Sequence, residues 1–502
     1  MKTFLTISLL IISSLIFSQS KELNKANNYF KEFNYPKAIK AYKALIKDGQ
    51  HASYATQQIA ISYSKIGNIQ EAVNWYYLTL DFPEVDYNNY FLLARELLRL
   101  DRNDEAIKYM EMYYTKKGDT NNQYSSNNYK NYLTQLKRDS SHYRISNLAF
   151  NSEHSEFGPT FHSEYLVFSS NRPVTGFSKN KDSRTGTSFF NLFKANIIQL
   201  ETSSNAELFS KAVQSKYNDG PVSFGNNYQS MFLTRNTDDS NVLDIFLVLK
   251  DGKNWSKDLK SLNIRKGKYN VAHAFIQSET KLLYFASNMP GGYGGMDLYV
   301  CQLKDGFLSK PTNLGPNINT IGNEVFPFIS DDGMLYFSSD GQPGLGGYDL
   351  FFAKPDKETF SVAFNMGYPL NTSADDFSLV LNPSKKFGYF ASNRKGGKGD
   401  DDIYGVTIKN HPEYYLLKAK VINPASSSSI KEAWIDIKDS RGQMVKHVKS
   451  DDKGEFTLYL KKNKEYKILL RKKLYDSLNL SINSDEVNED DELEVIFEML
   501  EK

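Results

Sequence analysis

An acid or asparagine followed by an apolar residue and an aromatic recurs five times along this chain. The copies are Asn191-Leu192-Phe193, Asp244-Ile245-Phe246, Asp297-Leu298-Tyr299, Asp349-Leu350-Phe351 and Asp402-Ile403-Tyr404, at steps of 53, 53, 52 and 53 residues. Such a period means that each copy is one supersecondary unit that buries its apolar face against the next. One copy reads as four short strands: Glu324 to Ser330, Met334 to Ser338, Tyr348 to Ala353 and Phe360 to Asn365, with Asp331-Asp332-Gly333 as the first hairpin turn. Five copies predict a five-bladed β-propeller over residues 143–409. The fifth copy lacks an outer strand, because Ile403 to Ile408 runs straight into the next segment. Arg144 to Phe150 precedes the first copy, and we expect it to supply that strand and remove two open edges.

Glycines mark all the copies but the second. In Ser287–Tyr299, four of them fall within five residues, at 291, 292, 294 and 295. A phosphate-binding loop would need a GxxxxGK[ST] pattern or a helix after the glycines, and neither is present. The expected role is a turn that needs positive φ, repeated from copy to copy. Asp400-Asp401-Asp402 lacks the ligand spacing of an EF-hand loop. The turns follow Ser169-Ser170-Asn171, Ala286-Ser287-Asn288, Ser338-Ser339-Asp340 and Ala391-Ser392-Asn393. This arrangement resembles the WD-repeat-like propellers related to TolB. The second copy departs from it, with Thr234-Arg235-Asn236 and no glycine run.

A second period occupies the first third. Ala26, Ala60 and Ala94 are 34 residues apart, as are Ala38, Ala72 and Ala106. Tyr29, Tyr63 and Leu97 follow the first set, and Tyr42, Tyr76 and Met110 the second. Small residues where paired helices cross, with bulky ones filling the gap, resemble the tetratricopeptide pattern. Residues 19–140 are therefore expected to form a short helical solenoid. Core packing explains most of its aromatics, while Tyr29, Tyr63 and Tyr76 are the candidates for gripping a protein partner.

From Tyr414 onward, alternation at Ala433 to Ile437 and Phe456 to Leu460, with Asp452-Lys453-Gly454 as a hairpin turn, predicts a small antiparallel sandwich over 413–502. It resembles the carboxypeptidase regulatory-like domain, a transthyretin-like module. The expected fold class is thus multidomain: an α-helical tetratricopeptide solenoid, then a five-bladed β-propeller, then a small transthyretin-like β-sandwich.

Chemistry is sparse. The sequence has no G-x-S-x-G, no HExxH and no Walker loop, and its seven histidines are scattered. The one cysteine, Cys301, reads as a small buried hydrophobe. A net charge of +2 gives no polyanion-binding signature, so nucleic acid is not an expected partner. No catalytic residue, metal or cofactor is expected.

The first residues, MKTFLTISLLIISSLIFSQS, read as a secretory signal peptide over 1–18 without a lipid-anchoring cysteine. No later run approaches the ~20 apolar residues of a spanning helix. The order of signal, helical repeats, propeller and sandwich resembles PorE-like, OmpA-family periplasmic proteins of the type IX secretion and gliding machinery. That resemblance implies a non-enzymatic periplasmic scaffold, associated with the outer membrane through protein partners of the envelope. In the family an OmpA-like, peptidoglycan-binding domain follows the sandwich. This chain stops at Lys502 without it, so peptidoglycan is expected to be reached only indirectly. The alternative is a propeller-hosted hydrolase or carbohydrate-binding protein.

Overall fold

The computed structural model describes residues 21–502 except 33, 50, 119–125, 139, 175–181, 183–186, 200–201, 204, 226, 238–241, 268, 305–306, 357–358, 410–412, 484–485 and 489–490. The signal-peptide reading of 1–18 lies outside the described residues.

Seven helices come first: α1 (21–31), α2 (Tyr35–Lys47), α3 (Ala52–Lys65), α4 (Ile69–Thr79), α5 (Asn88–Arg99), α6 (Asn103–Lys117) and α7 (Ser126–Arg138). Local signals set their ends. Pro36 opens α2, the Asn68 side chain accepts from Glu71 N at 3.3 Å to cap α4, and Gly118 ends α6 in a left-handed turn. All six alanines of the 34-residue period are fully buried, as close helix crossings require.

The strands form many small sheets. Five of these take the segments of the 53-residue period. Their first strands are Glu156–His162, Asp219–Gly225, Val271–Gln277, Glu324–Ile329 and Asp376–Leu381. Each first strand carries a bulge at an equivalent place, after Phe157, Asp219, Ala272, Val325 and Phe377. Tyr143–Asn147 pairs antiparallel with Asp402–Ile408, so the segment before the first copy does complete the fifth sheet.

The expected fold class needs correction. The chain does not form a solenoid, a five-bladed propeller and a sandwich in succession. Its described residues show a helical region followed by strands in many small sheets, clustered into two compact units. The first unit joins residues up to Val85, Arg95–Asp101 and Tyr143–Lys409. The second joins Asp86–Ala94, Arg102–His142 and Asn410–Lys502. Helices of a solenoid pack on their neighbours alone. Here Arg95 and Arg99 form ion pairs with the strand region of the first unit. In the second unit, Arg138 of α7 lies 3.4 Å from Asp439, and Gln135 donates to Met444 O at 3.3 Å.

In that second unit, two four-stranded sheets share one core that includes Tyr415, Leu417, Ile435, Ile437, Ile468 and Phe497. Burying side chains of this size stabilises by about 1.5–3 kcal/mol each. The expected all-antiparallel arrangement is also corrected, because Glu492–Glu498 runs parallel to Tyr414–Asn423. Among the described residues, no helix is long and apolar enough to cross a membrane.

Candidate functional site

The glycine-rich turns build the edge of the first unit that carries its cleft. Asp297 sits inside the turn of Ser287–Tyr299, where its carboxylate accepts from Tyr293 N at 2.7 Å and Gly294 N at 3.2 Å. Only Gly291 of the four glycines has positive φ, +94°. The others are there for space. A Cβ on Gly294 would lie 2.3 Å from Thr320 O, and one on Gly295 would lie 2.8 Å from Gly322 O. The turn reading holds, but its main physical reason is the close approach of the next sheet's backbone.

That approach is a repeated latch. Asp219 N donates to Phe190 O at 2.9 Å, Glu324 N to Met296 O at 2.6 Å, and Asp376 N to Tyr348 O at 2.7 Å. Glu156 N donates to Asp401 O at 2.7 Å, so the same bond ties the last sheet to the first. A second latch uses side chains. Asn218, Asn270, Asn323 and Asp375 accept from the backbone amides of Phe190, Leu243, Met296 and Tyr348. A third uses Asn171, Asn288, Asp340 and Asn393 on the amides of Ser155, Asn270, Asn323 and Asp375.

Each of these side-chain series contains one departure from asparagine, at Asp375 and at Asp340. Those are the positions where α5 attaches. Arg95 Nη1 lies 3.2 Å from Asp340 Oδ2, and Arg99 Nη2 lies 2.8 Å from Asp375 Oδ2. Glu96, fully buried between them, pairs with Arg95 at 2.8 Å and Arg99 at 3.4 Å and accepts from Ser64 Oγ at 2.8 Å. Burial alone would raise the Asp340 carboxyl, but Arg95 and Lys65 outweigh it and hold it below the usual range. Sequence reasoning missed this cluster. The signal was there in the break of the asparagine pattern at two positions.

Around the cluster lies a cleft of about 960 Å³. Its lining includes Lys65, Arg99, Tyr348, Asp375, Lys395 and Asp401. Burial pushes the Asp401 carboxyl up to about 7, although it accepts from Ser155 Oγ at 2.6 Å. Glu156, Asp219 and Asp376 open their sheets as buried carboxylates paired to Arg172, Arg235 and Arg394. Glu324 occupies the same place in the fourth sheet but is held by Ser339 Oγ, Thr320 Oγ1 and Thr320 N. Burial therefore pushes it up to about 8.

A second cavity, of about 40 Å³, lies where the five bulges meet, which is room for water alone. His273 lines it, stacked on Phe326 with ring centroids 3.8 Å apart, and burial lowers its pKa to about 3. Ser378 also lines it, with its Oγ accepting from Gly158 N at 3.3 Å. No carboxylate is among the described residues lining this cavity. Cys301 is buried, and burial pushes its thiol up to about 11, as expected of an inert residue. Among the described residues, no group of three acidic, histidine or cysteine side chains is arranged to hold a metal.

The candidate aromatics are not alike. Tyr29 and Tyr63 are half-buried against the core of α1–α4. Lys43 Nζ donates to Tyr63 Oη at 2.8 Å and lies 5.1 Å from the rings of both Tyr63 and Trp75. Tyr76 is fully buried and offers a partner no surface, because its ring fills the core.

No protein-family profile matches the sequence, and no curated protein matches it. Solved structures with some similarity include 3-chlorocatechol 1,2-dioxygenase from Rhodococcus opacus 1CP, at 9% identity and a TM-score of 0.16, covering 18% of this chain and 60% of that one. The chain thus spans less than two thirds of that relative's length. The GH62 α-L-arabinofuranosidase catalytic domain of Coprinopsis cinerea gives 12% identity and a TM-score of 0.33, covering 54% and 98%. TolB from Acinetobacter baumannii gives 10% and 0.29, covering 70% and 73%. At these TM-scores none of the three carries an argument about this chain.

Proposed function

We propose that this protein is a non-enzymatic scaffold that binds protein partners of the cell envelope. The observation that carries the reading is how the cleft's charges are used: Arg95 and Arg99 are committed to Asp340, Glu96 and Asp375, and so fasten a helix to the sheets. Charged groups tied up in this way hold a shape. The half-buried Tyr63 and the exposed Tyr54 and Leu78 of the same helical region give a partner amphipathic surface to grip. A periplasmic place beside type IX secretion or gliding components belongs to the same proposal and comes from the resemblance of the sequence alone. Affinity capture of the full chain from envelope extracts tests it. A specific protein partner that is lost with Tyr63→Ala is the expected result. Recovery of none, or equal recovery by the variant, counts against it.

One observation favours a rival hydrolase or glycan-binding reading. Asp401 lines the cleft with its carboxyl near neutrality, the range of a general acid. Glycan binding or glycoside turnover that disappears in Asp401→Asn would support the rival.

A further inference from the structure

We propose that the free edge of the strand Glu492–Glu498 is an augmentation site for an extended segment of another protein, one in which cationic residues alternate with apolar ones. The register determines which groups are free. Leu416 N donates to Asp491 O, and Met499 N donates to Ile422 O. In a parallel pair, the N–H and C=O of one residue point to the same side, and successive residues alternate. Residues 491, 493, 495, 497 and 499 therefore bond inward to Tyr414–Asn423, while the N–H and C=O groups of Glu494, Ile496 and Glu498 point away from it; those of Glu492 also point away but are taken by Asn488. Among the described residues this strand has no other partner strand.

Natural edges are blunted by lysine, proline or a bulge. The run ELEVIFE has no lysine, proline or bulge, its pairing register is unbroken, and the charges that guard it are glutamates alone. Its outer face presents Glu494 and Glu498 with Ile496, which is 63% exposed. The charges also select the occupant. Two copies of this chain pairing antiparallel about Ile496 would set Glu494 opposite Glu498, and like charges directly opposite repel. A foreign strand with lysine or arginine at those places would meet complementary charge and form the same backbone ladder.

The test uses the full chain and two short peptides in which valine alternates with lysine or with glutamate. Amide hydrogen exchange should slow at Glu494, Ile496 and Glu498 at least fivefold with the lysine peptide and not with the glutamate one. Ile496→Pro removes an outward N–H only, so it should abolish that protection while the unfolding midpoint stays within error of the parent. Glu494→Lys with Glu498→Lys should exchange the preference between peptides. Equal protection by both peptides, protection that survives Ile496→Pro, or a concentration-dependent dimer through this edge would each overturn the proposal.

Discussion

Arg99 Nη2 lies 2.8 Å from Asp375 Oδ2, joining two residues 276 positions apart. With Arg95 and Asp340, this pair makes the second half of α5 part of the strand-rich unit. Asp340→Asn places at 340 the residue that the same latch uses at 171, 288 and 393, and it leaves Glu96 as the one carboxylate paired with Arg95 among the described residues. A loss of about 1–3 kcal/mol is expected, against about 1 kcal/mol for Asp375→Asn, whose pair is more exposed. Urea unfolding monitored by fluorescence should show that ranking.

The glycine turns separate two causes. Gly294→Ala pushes a Cβ into the backbone of the neighbouring sheet and should cost about 2–3 kcal/mol. Gly291→Ala meets open space and bears only the strain of its positive φ, about 1 kcal/mol. Equal losses would mean that turn conformation, and not close approach, explains the cluster. Thermal unfolding of the two variants decides this.

Glu324 should make stability depend on pH. Its folded pKa of about 8 lies above the ordinary carboxylate value, so the folded state keeps a proton that the unfolded chain has released. Stability should therefore fall as pH rises from the unfolded pKa to about 8, by up to about 1.4 kcal/mol per unit. Glu324→Gln should flatten that slope. A slope unchanged in the variant would assign it to another group.

Tyr76 gives a test of core against contact. Its hydroxyl is buried without a hydrogen-bond partner among the described residues. Tyr76→Phe should be neutral or slightly stabilising, whereas Tyr76→Ala should cost about 3–5 kcal/mol. Loss of partner binding in a stable Tyr76→Phe variant would restore Tyr76 to the contact surface.

Much of the local structure was legible because periodicity reports burial. The alanine ladder marks buried crossings, the repeat period located the third strand of each of the five sheets, and the missing outer strand of the fifth copy pointed to the pairing of Tyr143–Asn147 with that sheet. The division into units was not legible. It depends on single ion pairs, such as Arg99 with Asp375, that link distant positions and leave no period. The candidate site was legible only in hindsight, at the two places where aspartate replaces the repeated asparagine. Tyr76 was misjudged because a helix's aromatic stripe looks the same whether it fills a core or lines a groove.

The central claim is that the chain's surfaces hold other proteins. Cross-linking mass spectrometry in the intact cell envelope tests it most directly. The account predicts cross-links from Lys37, Lys43 and Lys65 to other envelope proteins, weakened by Tyr63→Ala. Cross-links confined to the chain itself, together with turnover of a small molecule that Asp401→Asn abolishes in a folded protein, would contradict it.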